Sequence, residues 1–156
     1  MRIWIDTEFN GFGGELLSIA LVAEDGSYLY EVLPHAINKP TCKWVTENVI
    51  PHILDDPAGD KLEHVSLPVV ISYEVSHFLM KYDWVEVIAD WPDDIKYLMD
   101  LLIIGPGVAV PTQDQLMFTI DRTLGGKSQV PHHAYYDALG NMEQQLTDEY
   151  GIKPNV

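Results

Sequence analysis

Ile3-Trp4-Ile5-Asp6-Thr7-Glu8-Phe9 is the stretch on which the fold turns: an apolar run that ends in Asp-x-Glu. Such a run reads as a buried strand, and residues two apart on a strand project from the same face. Asp6 and Glu8 therefore point the same way, and two adjacent carboxylates at the edge of a core repel unless a cation lies between them. A hard divalent ion, Mg²⁺ or Mn²⁺, suits an all-oxygen donor set. The far end supplies a matching piece, His132-His133-Ala134-Tyr135-Tyr136-Asp137. Asp137 offers a third carboxylate, and His132, five residues before it, an imidazole. Together they suggest phosphoryl chemistry at two metal ions, with a histidine handling the attacking water. Each piece also has an ordinary reading. Asp6 alone could cap a turn, Glu8 could be a solvated surface acid, and either histidine could be a loop residue. The joint pattern argues for chemistry.

From that first strand the pattern extends outward. Residues 16–23 and 27–32 read as two further strands, and Asp25-Gly26 between them favours a tight hairpin. Gly11, Gly13 and Gly14 leave the first connection able to approach a ligand closely; a hairpin follows them, so they are no dinucleotide fingerprint. Residues 41–50 predict a short helix with Thr41 as N-cap and Pro51 as terminator. Residues 55–67 predict a polar loop, and 68–81 a helix spaced by threes and fours. Val85–Ala89 reads as a fourth strand. Asp90-Trp91-Pro92-Asp93-Asp94 then opens a helix to about Ile103, with Pro92 in its first turn. Gly105-Pro106-Gly107 breaks the chain, and residues 108–124 fit strand or helix. A last helix is expected from near Tyr135 to Tyr150, ended by Gly151.

The expected architecture is one α/β domain over residues 1–156: a mixed sheet, an antiparallel hairpin plus parallel strands, flanked by helices. Strands 1 and 4 should be neighbours, so that Asp6, Glu8, the acids after strand 4 and the start of the last helix converge. With 47% hydrophobic and 21% charged residues, the composition is that of a folded globular chain. No apolar stretch approaches the ~18 residues of a membrane span, and nothing reads as a secretion signal, so no membrane association and a cytoplasmic location are expected. The single Cys42 allows no internal disulfide and no zinc cluster. Nine Lys and Arg against 24 Asp and Glu give a net charge of −15. Such a surface repels long polyanions, while bound divalent cations reverse the sign locally. A short or single-stranded substrate gripped at its end fits that balance; so does acidic charge that merely keeps the protein soluble.

Asp6-Thr7-Glu8-Phe9, an Asp opening a helix after a later strand, and His132-x-Ala134-x-x-Asp137 resemble the histidine-containing branch of the DEDD 3′–5′ exonucleases. Ribonuclease T, oligoribonuclease and small bacterial and phage exoribonucleases belong to that branch, on a ribonuclease H-like fold. The resemblance implies four acids holding two Mg²⁺ or Mn²⁺ ions and a histidine general base, acting on 3′ ends of single-stranded RNA or DNA or on short oligonucleotides, RNA being favoured. Asp6 and Glu8 match the first motif, His132 and Asp137 the third. The second motif departs from the family pattern: its usual Asn is missing, and Asp90, Asp93 and Asp94 compete. Asp94 is preferred, since Asp94-Ile95-Lys96-Tyr97-Leu98 keeps the acid-to-Leu spacing; Asp90, which ends the strand, is the rival, and Asp93 comes third. Helix capping is the ordinary role of any of them. Phe9 and Trp91 are candidates to stack on substrate bases, or are plain core and rim aromatics. Trp44, Asn48 and His52 share a helical spacing and read chiefly as packing. His133 competes with His132, and only the spacing to Asp137 separates the two. A catalytically degenerate binding module, or a phosphohydrolase or endonuclease on the same fold, is the alternative, and a homodimer is left open.

Overall fold

The computed structural model describes residues 1–34, 36, 41–55, 57 and 67–151. The first strand, β1 (Arg2–Phe9), is the hub. On one side it pairs antiparallel with β2 (Leu16–Ala23), which pairs antiparallel with β3 (Tyr28–Val32). On the other side it pairs parallel with β4 (Val85–Ala89), followed by parallel β7 (Leu116–Ile120). The resulting order, β3-β2-β1-β4-β7, makes β2 the one strand of this sheet that runs against the rest. Between β4 and β7 a short second sheet pairs β5 (Ile103–Gly105) with β6 (Val108–Ala109).

Helices cover both faces, and the pleat of β1 assigns its residues between them. Ile3 and Ile5 pack with Ile71, Val75, Phe78, Leu98 and Leu101, which belong to α2 (Pro68–Leu79) and α3 (Pro92–Leu102). Trp4 faces the opposite way, into a core that includes Ala134, Ala138 and Met142 of α4 (Ala134–Tyr150) and Val45 of α1 (Lys43–Asn48). Apolar burial on both faces of a five-stranded sheet is what a mixed sheet flanked by helices requires. Asp6 and Glu8 continue the Trp4 face, and Thr7 and Phe9 continue the Ile5 face. No helix among the described residues is long and apolar enough to cross a membrane.

Several local expectations change. The first helix is shorter than 41–50, and its N-cap is Cys42 rather than Thr41. The Thr41 hydroxyl is engaged instead with Thr46 Oγ1 at 2.6 Å. The helix beginning at Pro68 ends at Leu79, before residue 81. Gly105-Pro106-Gly107 does not simply interrupt the chain: it turns β5 into β6, with Gly107 at φ 70°. Residues 116–120 of the ambiguous stretch form the edge strand β7. Most of the polar loop expected over 55–67 lies outside the described residues.

Candidate metal centre

Register builds the site. In the parallel pairing of β1 with β4, Trp4 lies opposite Ile88, so Asp6 and Asp90, two residues further along each strand, leave the sheet at the same edge. Beyond Asp90 the chain turns at Trp91 into α3, whose first turn carries Asp93 and Asp94. Asp94 is only 2% exposed. It approaches β1 from the opposite face to Asp6 and meets Thr7: Asp94 Oδ1 accepts the Thr7 N–H at 3.0 Å and the Thr7 hydroxyl at 2.6 Å. Its other oxygen, Oδ2, is buried without a hydrogen-bond partner, and so is Asp90 Oδ1. A buried carboxylate oxygen with no donor is costly unless a cation or ordered water satisfies it.

Two groups of donors result. Asp6, Asp90 and Asp94 each offer an oxygen within 4.8 Å of the others, and Glu8, His132 and Asp137 form a second set on the same criterion. Burial first, then the fields of Asp94, Glu8, Asp137 and Asp90, hold the Asp6 carboxyl well above the ordinary range. Glu8 rises from 4.5 to about 8, through burial and then the charges of Asp137 and Asp94. Asp94 rises to about 7, through burial, although Thr7 pulls the other way. Burial also raises Asp90 and Asp137. Five carboxyls that resist ionisation together form a site short of positive charge. The oxygen-rich donors and the unpartnered Asp94 Oδ2 fit hard divalent cations of the Mg²⁺ or Mn²⁺ kind.

The two adjacent histidines part company because of one backbone angle. His132 has φ 64°, the one left-handed residue other than glycine among those described. Such a conformation costs roughly 1–2 kcal/mol and persists where the surroundings enforce it. Here the His132 N–H donates to Asp137 Oδ2 at 3.0 Å, tying the loop to the helix start. The His132 ring stays exposed, edge-on to Trp44 at 4.8 Å. His133 turns inward: it is 1% exposed, stacks on Tyr30 at 4.6 Å, and its Nε2 lies 2.8 Å from the Asp55 carbonyl. That carbonyl can only accept, so Nε2 carries the proton. Burial pushes the His133 pKa down.

A cleft of about 370 Å³ opens beside the second group, lined by Asp6, Glu8, Phe9, Trp44, His132 and Asp137 among others. Phe9 lines it while its ring also packs against Tyr97 at 5.0 Å. Trp91 does not line this cleft; its indole N–H donates to Asp93 Oδ2, and the Arg122 guanidinium lies over its ring at 3.7 Å. Both second-motif rivals, Asp90 and Asp94, reach Asp6, while Asp93 is engaged with Trp91. Of the aromatic and polar residues read as packing, Trp44 lines the cleft, whereas the Asn48 amide is turned back to the Trp44 carbonyl. His52 lies 3.8 Å from Asp55.

The sequence carries no sign of Thr7 as the partner of Asp94, a contact spanning 87 positions. Nor does it point to the Gly126 crossing. A Cβ on Gly126 would fall 1.8 Å from the Gly140 carbonyl, so glycine is required for the loop to cross α4 one turn beyond Asp137. That crossing leads to Ser128, whose buried hydroxyl has no hydrogen-bond partner but lies near enough to Asp137 to counter part of the rise in its pKa. No protein-family model matches this chain, and no curated protein is significantly similar to it.

Proposed function

We propose that the protein is a metal-dependent 3′–5′ exonuclease on a ribonuclease H-like fold, releasing nucleoside 5′-monophosphates from single-stranded RNA or short oligonucleotides. The observation that carries this reading is the meeting of two donor triads at the end of β1, one of them including an exposed imidazole. The mixed sheet, a hairpin plus parallel strands with helices on both faces, supports the fold assignment. Two divalent ions, Mg²⁺ or Mn²⁺, would supply neutralisation of the scissile phosphate and of the leaving 3′-oxygen.

The chain's own residues would divide the remaining work. Asp6, Asp90 and Asp94 hold charge at one position, Glu8 and Asp137 at the other. His132 stands at the mouth of the cleft with its ring free to accept a proton from the attacking water. Its backbone bond to Asp137 keeps that ring next to the acids. Phe9 and Trp44 form apolar walls against which a terminal sugar or base can rest. The net charge of −15 leaves little surface to follow a second strand, which favours short single strands over duplexes.

The test is incubation with Mn²⁺ and 5′-labelled single strands of RNA and DNA, side by side. Shortening one nucleotide at a time from the 3′ end, faster on RNA, is the expected result. Internal cuts would move the protein to the endonucleases. Mn²⁺ binding without any cleavage would make it a binding module.

A further inference from the structure

At the edge of the sheet where the acids gather, a cation rests on an indole. The turns after β4 and β7 are neighbours there: Ala89 pairs with Ile120, and the Asp121 N–H donates to the Ala89 carbonyl at 2.8 Å. Trp91 follows one strand and Arg122 the other, and the guanidinium lies 3.7 Å above the indole centroid. The indole is itself oriented, its N–H bound to Asp93 Oδ2 at 2.7 Å. Both side chains are exposed, Trp91 by 47%.

Arg2 is paired with Glu24 and Glu149, Lys43 with Glu47, and Lys96 with Asp100. Arg122, like Lys81 and Lys127, has no ion pair among the described residues, and unlike Lys81, which rests on Phe78, it lies close enough to Asp90 for its charge to act there. A stacked guanidinium is positioned through its flat face, so its N–H groups stay free in the ring plane. Their fork geometry matches a phosphate. In a chain of net charge −15 an unpaired, pre-oriented arginine beside the acid cluster is a poor choice for solubility and a good one for an anion.

We propose that Arg122, held on Trp91, binds a non-bridging oxygen of the phosphodiester next to the scissile one, so that the enzyme recognises a strand rather than a single phosphate. This rests on the nucleolytic reading above. It also changes the part given to Trp91, which serves as the platform for a phosphate contact and not as a stacking surface for bases. Recognition at this point is then indifferent to base identity.

Two substrates separate the roles: a single-stranded oligonucleotide, and the p-nitrophenyl ester of a nucleoside 5′-monophosphate, which has a scissile diester and no neighbouring phosphate. Arg122→Ala should lower kcat/KM on the oligonucleotide roughly tenfold to a hundredfold, mostly through KM, as expected for losing a charge-assisted hydrogen bond. On the ester it should stay within about twofold of wild type, the scatter of a remote surface change. An oligonucleotide with one neutral methylphosphonate at the adjacent linkage should cost wild type the same factor and cost Arg122→Ala nothing further. Binding of a fluorescein-labelled oligonucleotide in Ca²⁺, followed by anisotropy, provides a readout without turnover; the slope of log affinity against log salt should fall by about 0.7 in the variant. Equal losses on both substrates, an unchanged salt slope, or additive effects of variant and methylphosphonate would each overturn the assignment. Loss of hydrolysis by wild type on both substrates with the slope difference intact would instead remove the nucleolytic reading and leave Arg122 as a phosphate contact.

Discussion

Of two open clefts formed by the described residues, the larger is the quieter. One of about 420 Å³ lies between the loop at Gly125–Lys127 and the outer face of α4, lined by Glu143, Gln144, Thr147 and Asp148. The other, about 370 Å³, holds the acids at the end of β1. In the first, the polar groups answer one another: Gly125 N–H donates to Gln144 Oε1 at 2.9 Å, and Gly126 N–H to Asn141 Oδ1 at 3.1 Å. Beside the second, Asp94 Oδ2 and Asp90 Oδ1 are buried with no partner, and neighbouring carboxyls are held above their ordinary range. Volume alone does not mark a site; polar groups whose desolvation is left uncompensated do.

The hardest test of this contrast is substitution in both clefts. Asp6→Ala and Asp137→Ala should abolish hydrolysis and weaken Mn²⁺ binding, since each leaves a triad one ligand short. Glu143→Ala and Asp148→Ala, in the larger cleft, should stay within about twofold of wild type. Activity and calorimetric Mn²⁺ titration of the four variants check this. Wild-type-like cleavage by Asp6→Ala or Asp137→Ala would end the two-metal reading.

The histidine pair comes next in size. His132→Ala should lower turnover by about 10²–10⁴-fold while Mn²⁺ affinity stays close to wild type, because a general base moves a proton and is not needed to hold the ions. His133→Ala should do the reverse: near-normal turnover with stability reduced by about 1–3 kcal/mol, from the lost contact to the Asp55 carbonyl and the lost stacking on Tyr30. Rate constants at saturating Mn²⁺ and denaturant melts distinguish the two. If His133→Ala is the dead variant, the assignment of the base is reversed.

These two residues also show where sequence reasoning is strong and where it stops. Spacing to Asp137 selected His132, but only the left-handed φ of 64° explains how adjacent histidines reach opposite environments. Strands β1 to β4 and helix α4 were legible because long apolar runs, the Asp25-Gly26 turn and Gly151 are local signals; Gly151 indeed ends α4 in the left-handed conformation. Leu116–Ile120 was not, because an edge strand with Met117, Phe118 and Ile120 all partly exposed shows no clean alternation. The β5–β6 pair, three residues against two, is too short to carry any periodicity. The rivalry of Asp90 and Asp94 was unanswerable from spacing, since both reach Asp6 from different elements.

A smaller effect follows from the burial of the acids and, after it, their mutual repulsion. Burial pushes Glu8 up to about 8 and Asp94 up to about 7 in the folded protein, well above the roughly 4 of an unfolded chain. Between those values the native state binds more protons than the unfolded one, so ∂ΔG/∂pH is negative and stability falls as pH rises. The metal-free protein should therefore melt at progressively lower temperature from about pH 5 to about pH 8. Mn²⁺ should raise the melting temperature at every pH, and most at the alkaline end, where it replaces repulsion with coordination. Glu8→Gln should flatten the EDTA curve. A melting temperature independent of pH in EDTA would show that burial and crowding do not hold these acids above their ordinary range.

The smallest effect, and the most discriminating, concerns an oxygen in the acid group that already has two partners. Asp94 Oδ1 is held by the Thr7 N–H and hydroxyl, which fixes the carboxylate plane and leaves Oδ2 as the oxygen without a partner. Thr7 is thus assigned as a positioning residue, its N–H and hydroxyl both donated to Asp94 and acting through it. Thr7→Val keeps the shape and the N–H while deleting the hydroxyl, so Asp94 should remain in place but turn more freely. Loss of such a supporting bond costs about 10–100-fold in metal affinity or activity, and the lower end is expected because one of the two bonds survives. Thr7→Ser restores the hydroxyl and should recover most of the loss. The reading that separates positioning from packing is the Mn²⁺ dependence: Thr7→Val should need about tenfold more Mn²⁺ for half-maximal rate and approach wild-type kcat at saturation. A variant that loses kcat at saturating Mn²⁺, or that Thr7→Ser fails to rescue, would mean that Thr7 supports the fold of β1 and not the orientation of Asp94.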